Sequence, residues 1–511
     1  MEAKTKKNIL AIIIIGFLIR LFAYLKYSSV WWDSAAYIGI GKFIFSLGNK
    51  GLFEPLRPPV WPVLIGALWK ININPVFAAR VLSILFSTAS IYLVFLIAAR
   101  VFDKRTAIIS SFIFATSAVF VFYDHVMLSE IPSLFFALLS INLFLKKRRI
   151  LAGFFAGISF LTRFPQGIIF ASLILYVMLF ENDKKNTKEN AAKKTKNRKI
   201  NIFVLNTKLF SQSLIKNRIL ETIKILVGFV IAAVPYLILN YLLYKNSLLP
   251  FIEGNYVIEN TFPYSGISFY FINIIRENFM VIFSVPAVYI ALKNYFSKKQ
   301  KSNEEKGKEN RKKIIKEERK EKLLFIIISI LFLAYFSFLK YKEMRFAIVF
   351  LPYILILSAH GLKSLIRNKK ILLFLLIIFL MQSSYAFVRY RTYWEAQVPD
   401  AKQEEFYKSI IGKYGNIWVS NPRFTLYTDA MLNLMYYPTF EDSSKSLKEK
   451  ISKADFVFLN SCELVCRTEE CLGRKKELLQ YLKENFSEKF RAESMSANEK
   501  CEMIEFDKKK D

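Results

Sequence analysis

Long apolar runs separated by short charged stretches set the pattern of this chain. Residues 8–26, NILAIIIIGFLIRLFAYLK, and 323–340, LLFIIISILFLAYFSFLK, approach the roughly 20 apolar residues that cross a bilayer as a helix. Runs of similar character fill 75–102, 106–122, 131–145, 150–161, 167–180, 222–243, 271–292, 346–362 and 371–387. A lipid environment forces such segments to satisfy their backbone internally. The pattern therefore predicts a mostly α-helical, polytopic membrane bundle of about 11 spans. The first run is too long for a signal peptide and lacks a small-residue cleavage site, so it reads as a retained span.

Two regions break the pattern. Residues 31–72 contain EPLRPPVWP and only one short apolar stretch. Trp31, Trp32, Trp61 and Trp69 suit the headgroup layer, which predicts interfacial helices in this first outer loop. From residue 389 onward, NIWVSNPRF and ADFVFLN are short β-like runs, while RKKELLQYLKENF has helical spacing. That alternation predicts a small C-terminal α/β domain over 389–511, beside a membrane domain over 1–388.

The net charge of +32 changes the picture only through its placement. Residues 184–218 hold eleven Lys/Arg and 293–322 hold thirteen, whereas 389–511 carries 21 basic and 21 acidic residues. Basic residues gathered in short loops mark the cytoplasmic side, so the charge reports topology and gives no support to a nucleic-acid partner. The basic start MEAKTKKN is placed in the cytoplasm, with 181–220 and 293–322 as cytoplasmic loops and 389–511 outside. Making 59–70 a full span would instead export the clusters DKR and KKRR. With the accepted alternation, Asp33, Glu54, Arg57, Asp124, Glu130, Arg163, Lys342 and Arg345 all reach the outer face. Charges gathered at one rim of a bundle are a functional hypothesis by default.

All four cysteines, Cys462, Cys466, Cys471 and Cys501, lie in the segment placed outside, which predicts two disulfides of undetermined pairing. The rival, a four-thiolate zinc site, lacks a C-x-x-C knuckle.

Three passages resemble a known class. WWDSAAY with LRPPVWPVLIGALWK, then LSEIPSLFFALLSINLFLKKRRILAGFFAGISFLTRFP, then YKEMRFAIVFLPYILILSAHGL occur in that order between Trp31 and Leu362. The set resembles the GT-C class of membrane glycosyltransferases, which take sugars from polyprenyl phosphates. It is most similar to the dolichyl-phosphate-mannose-dependent and aminoarabinose-transferring branches. Ser34 departs from the resemblance, standing where the class often has a second carboxylate. WWD also matches a tripeptide of oligosaccharyltransferases, but theirs lies in the soluble C-terminal domain, so the match is read as coincidence.

The resemblance implies transfer of a sugar, a hexose such as mannose, from a polyprenyl (dolichyl) phosphate to an acceptor on the outer face, with inversion. The acceptor is a lipid-linked glycan, a protein or a lipid. An acceptor hydroxyl must lose its proton as it attacks the anomeric carbon, and a positioned carboxylate contributes about 10²–10⁴-fold. Asp33 is the candidate base, its structural alternative being a helix N-cap. Glu130 is a second catalytic carboxylate, with an acid at a helix N-terminus as the plainer reading. Arg345, Arg163, Lys342 and Arg57 are candidates for the donor phosphate, since fixed cations stabilise charge developing on a leaving group. Each could equally anchor at headgroups. Tyr37, Asp124 and Glu343 are assigned to substrate positioning. His125 reads as a packing residue. No cofactor is required by this reading, and no ligand spacing supports a divalent metal. The absence of a Gly-rich phosphate loop argues against a nucleotide-sugar donor. A transporter or lipid flippase is the alternative function, although such proteins place charges at mid-membrane and show repeats, neither of which is visible here. A non-catalytic membrane scaffold for the C-terminal domain is a third reading.

Overall fold

The computed structural model describes residues 3–27, 29–181, 203–261, 264–296, 309–395, 398–435, 444–464, 466, 469–496 and 499–509. Parts of both predicted basic loops, 182–202 and 297–308, lie outside the described residues.

The N-terminal part is helical: α1 (Ala3–Lys26), α2 (Trp32–Phe45), α3 (Val60–Lys70), α4 (Pro75–Val101), α5 (Lys104–Thr116), α6 (Ala118–Asp124), α7 (Glu130–Leu145), α8 (Arg149–Thr162) and α9 (Gly167–Phe180). Local signals set several starts. The Asn74 side chain accepts from the backbone N–H of Val76 and Phe77, with Pro75 as the first helical residue, and Asp103 caps α5 likewise. Ser117 separates α5 from α6, which bend by 51°. Further helices run over Phe203–Tyr244, Leu249–Thr261, Phe269–Glu277, Ser284–Phe296, Glu309–Phe338, Leu351–Leu365 and Lys369–Glu395.

Among the described residues, five helices are long and apolar enough to cross a membrane, or seven if each bent pair is one span. The chain is thus a multi-span membrane protein. The sequence pattern predicted about 11 spans. The difference lies in helices such as α7, α8 and α9, which at 16, 14 and 14 residues fall short of a bilayer's hydrocarbon thickness. They gain burial by packing on one another and on neighbours: a Cβ at Gly153 would meet the Ile225 carbonyl oxygen at 1.9 Å, and one at Gly228 the Ile150 oxygen at 1.9 Å.

Five C-terminal strands and one near the N-terminus form a six-stranded sheet: β1 (Gly51–Leu52), β2 (Ile417–Val419), β3 (Met431–Leu434), β4 (Phe456–Asn460), β5 (Phe486–Ser496) and β6 (Glu499–Lys508). The order is β1-β3-β2-β4-β6-β5, parallel from β1 to β4 and antiparallel beyond. One face packs on the helices Ser444–Ile451 and Glu469–Asn485 through Leu447, Ile451, Leu478 and Leu482. The other gathers Phe406, Tyr407, Ile417, Val419, Phe424 and Phe458 against Ile40 and Leu52 of the segment 31–72. Cys462 is bonded to Cys501, tying the end of β4 to β6, and Cys466 to Cys471.

Residues 31–72 therefore differ from their sequence-based picture. A helix lying on a surface would leave one face open, yet every residue of α2 from Ser34 to Lys42 is buried, between the bundle and the sheet. Trp31 and Trp61, expected among headgroups, are buried as well. The Trp61 indole N–H donates to the Met127 carbonyl at 2.9 Å, so its polar edge is satisfied inside the protein. Glycines make the packing possible. A Cβ at Gly41 would meet the Pro62 oxygen at 2.7 Å, and one at Gly66 the Gly41 oxygen at 2.4 Å, so α2 and α3 touch backbone to backbone.

Candidate active site

The site is built on the N-terminal turn of α2. Trp31 occupies the cap position without a side-chain bond, and Asp33 sits inside the first turn, so the N-cap explanation of Asp33 does not hold. Its carboxylate turns instead to two arginines. Oδ1 lies 2.9 Å from Arg57 Nη2 and Oδ2 accepts from Arg345 Nη1 at 2.6 Å. Arg57 comes from the Pro-rich loop before α3, and Arg345 from the short turn Met344–Ala347 after the helix Glu309–Phe338.

Each arginine is shared. Arg57 Nε contacts Glu54, and Arg345 Nε contacts Glu343. Glu130, at the start of α7, lies 3.2 Å from Arg163 Nη1 and 3.8 Å from Arg345 Nε. Aromatic faces support the guanidiniums: Arg57 lies 5.1 Å over the Tyr37 ring, and Arg163 and Arg345 lie 5.1 and 5.3 Å over Phe346. Four carboxylates and three guanidiniums thus form one continuous network. Asp33 is its most open member, with 25% of its side chain exposed against 3% for Glu54 and 1% for Glu130.

Electrostatics follow from that arrangement. Burial pushes the Asp33 carboxyl up, but Arg57 and Arg345 outweigh burial and hold it below the usual carboxylate range. For Glu54 and Glu343 burial wins, and both are raised despite Arg57 and Arg345 beside them.

The loop that delivers Glu130 is pinned by α2 and α3. Ser34 donates to the Val126 carbonyl, Trp61 to Met127, and the Tyr37 hydroxyl lies 3.0 Å from Ser129 Oγ. Met127 holds φ at +62° there, a conformation costly for a non-glycine residue that these bonds maintain. Ser34, standing where a second carboxylate was expected, has a structural task.

Of the residues singled out in the sequence, Asp33, Arg57, Glu130, Arg163, Glu343 and Arg345 meet in this network, and Tyr37 underlies it. Two do not. Asp124 is buried in the bundle, 3.3 Å from Arg20 Nε, where it neutralises a charge inside α1 and has no access to the network. Lys342 turns its ammonium to the Ser265 and Leu339 carbonyls and so is directed away from the arginines. His125 packs between Tyr27, Phe122 and Trp394. Glu54 is the member that sequence reasoning left out of the site. Its three-residue spacing from Arg57 in EPLR was the available signal. Among the described residues no His/Cys/Asp/Glu group has the geometry of a metal site.

The C-terminal part of the chain contributes to this end of the molecule. Lys42, nine residues along α2 from Asp33, donates to the Thr425 and Thr428 carbonyls at 2.7 and 3.1 Å and pairs with Asp429 at 2.8 Å. Arg423 Nε donates to the Val30 carbonyl at 2.9 Å.

Comparison with known proteins agrees with this architecture. Residues 56–194, less than half of the chain, match the family described as dolichyl-phosphate-mannose-protein mannosyltransferase. No curated protein matches by sequence. Among solved structures, ArnT from Cupriavidus metallidurans in the apo state superposes over 98% of this chain and 98% of its own, with TM-score 0.57 and 11% identity. The oligosaccharyltransferase AglB from Archaeoglobus fulgidus, solved with an inhibitory peptide and a dolichol-phosphate, covers 90% of this chain with TM-score 0.52 and 12% identity, over 70% of its own length. The chain spans only 60% of the Cupriavidus metallidurans ArnT bound to undecaprenyl phosphate, and that alignment covers 69% of this chain at 14% identity and TM-score 0.47. The chain thus shares the overall fold of these solved membrane proteins, and its residues 56–194 match the mannosyltransferase family.

Proposed function

We propose that this protein transfers a sugar, a hexose such as mannose, from a polyprenyl phosphate to an acceptor on the outer face of the membrane. The observation that carries the proposal is the meeting of Asp33 with Arg57 and Arg345 at the most open point of a buried charge network. Support for a lipid-borne donor comes from the matched mannosyltransferase family and from the dolichol-phosphate bound to AglB. The reading places the N-terminus in the cytoplasm, about eleven segments across the membrane, and 389–511 with the first outer loop on the extracytoplasmic side. The C-terminal sheet then takes its edge strand from that loop, and both lie on the same side as Asp33.

In the reaction, the acceptor oxygen attacks the anomeric carbon from the side opposite the phosphate, which inverts its configuration. Asp33 accepts the proton, and Arg57, Arg163 and Arg345 stabilise the charge that grows on the departing phosphate. Glu130 and Glu343 hold Arg163 and Arg345 in place. The arginines supply the positive charge in this scheme, which calls for no cofactor. Purified protein in lipid nanodiscs, given labelled polyprenyl-phosphate mannose and an extract of surface glycans, is expected to transfer label. Asp33→Asn should lower the rate by about 10²–10⁴-fold, the usual weight of a general base. Full activity in that variant would remove the assignment.

A further inference from the structure

The proposed chemistry contains a conflict. A carboxylate held ionised by two guanidiniums is a weak base, because base strength follows proton affinity. Those guanidiniums are also the cations a donor phosphate needs. All three arginines of the network already have carboxylate partners: Arg57 holds Asp33 and Glu54, Arg345 holds Asp33 and Glu343, and Arg163 holds Glu130. With four carboxylates facing three guanidiniums, an arriving anion adds to an excess of negative charge unless it replaces one of them.

The geometry names the one it replaces. Glu54 and Glu130 are sealed in, at 3% and 1% exposure, and Glu343 is further held by the Tyr341 hydroxyl. Glu54 and Glu343 also occupy the inner Nε positions of their arginines. Asp33 is the most exposed of the four, at 25% against 19% for Glu343, and what separates it from Glu343 is its contacts: it takes only terminal nitrogens, Nη2 of Arg57 and Nη1 of Arg345, one with each oxygen. A phosphate with two non-bridging oxygens can bridge the same pair of N–H groups, since guanidinium forks bind carboxylate and phosphate by the same geometry.

We propose that Asp33 is the resident anion of the donor-phosphate site: in the empty protein it fills the place between Arg57 and Arg345 that the lipid phosphate takes. This rests on the function proposed above and adds an order of events. The phosphate binds and displaces Asp33 from the arginines, and the freed carboxylate gains proton affinity only when donor is present. The acceptor oxygen then bonds to the anomeric carbon while the bond from that carbon to the phosphate oxygen breaks. The electron pair stays on the phosphate, and the acceptor's proton passes to an Asp33 oxygen. Without donor the base stays neutralised, which protects the site from idle proton exchange.

The test is binding of sugar-free polyprenyl phosphate to the protein in nanodiscs, with inorganic phosphate as a separate ligand. If Asp33 competes for the arginines, Asp33→Asn binds polyprenyl phosphate more tightly than wild type, by roughly tenfold, the equivalent of about 1.4 kcal/mol. Arg345→Gln should weaken binding in both backgrounds. Equal or weaker binding by Asp33→Asn overturns the competition while leaving the donor assignment standing. No binding of polyprenyl phosphate by wild type overturns both. Inorganic phosphate binding as tightly as the lipid form would show that the site reads phosphate alone and overturn the lipid assignment. Asp33→Ser repeats the arm should Asn fold poorly.

A second measurement needs no variant. The groups around Asp33 are Arg57 and Glu54 from the first outer loop, Tyr37 one turn along α2, Glu343 and Arg345, and Tyr393 from the helix Lys369–Glu395. In wild type the acid limb of kcat, which reports the loaded enzyme, is expected at higher pH than that of kcat/KM. Coincident or reversed limbs overturn the proposal.

Discussion

Lys42 offers the sharpest test of whether the contacts between α2 and residues 425–429 support the proposed site. Its ammonium is buried at 5% residue exposure, where it holds the Thr425 and Thr428 carbonyls and Asp429. Lys42→Met keeps the apolar stem and removes the charge and its donors. The lost charge-assisted bonds to carbonyl oxygens are worth about 1.5–3 kcal/mol, most of it from the buried Thr425 contact. The Asp429 pair adds little, because that carboxylate is 47% exposed and can hydrate, so it falls within the roughly 0–1 kcal/mol of a surface pair. A total near 2–3 kcal/mol raises the population of undocked sheet by roughly 30–150-fold. Ile40 and Leu52 still pack on the sheet, so the protein should fold. Limited proteolysis in detergent is expected to cleave the 398–435 region faster by a similar factor, with transfer activity falling because α2 no longer holds Asp33 in register. Lys50→Met is the control. Lys50 sits 3.6 Å from the same Asp429 but is 48% exposed, and its loss should change nothing measurable. Unchanged proteolysis in Lys42→Met, or equal change in both variants, would refute the argument.

Other expectations follow from the same geometry. The Asp33 carboxyl is held below its ordinary value of 3.8, so the stability its ion pairs contribute is present above that value and lost as pH falls through the lower, folded-state one. The difference in melting temperature between wild type and Asp33→Asn should therefore stay flat from about pH 8 to about pH 5 and narrow only below about pH 4. Removing the Cys462–Cys501 bond, which closes a separation of 39 residues, should destabilise the C-terminal domain by about 4 kcal/mol; the Cys466–Cys471 bond, with a separation of 5, should count about 2, as read by denaturant midpoints of single Cys→Ser variants. Gly66→Val should be poorly tolerated, since its Cβ would press on the Gly41 backbone at 2.4 Å; a thermal shift smaller than that of Val→Ala in the bundle would contradict the close helix contact.

Much of the bundle was legible because lipid leaves a chain few choices. An apolar run must be a helix there, and the predicted segments fall on helices such as Pro75–Val101 and Lys369–Glu395. The charges were harder. A polar island in a loop shows where a charge sits along the chain but not which partner it meets. Asp124 lay in a stretch, YDHVMLSE, that read as outer-face chemistry, yet it pairs with Arg20, a charge embedded in the first apolar run. Arg20 was visible, and a charge inside a span calls for a buried partner. Lys342 and Arg345 stand three residues apart in one turn and differ only in direction, which spacing does not reveal. The tryptophans misled because a ring suited to headgroups is equally suited to a buried site where its N–H finds a carbonyl. A strand of two residues, Gly51–Leu52, is too short for any period to mark.

That small strand has a bearing on biogenesis. Gly51 and Leu52 align with Met431 and Leu432, some 380 positions later in the chain. During translation the segment bearing Asp33 emerges early, yet the surface that shapes it leaves the ribosome near the end. The helices that come between must form while residues 51–52 still lack their partner, and strand Met431–Leu434 then fixes those two residues. A chain truncated before residue 431 lacks the partner strand of Gly51–Leu52 and is expected to lose the proposed transfer activity.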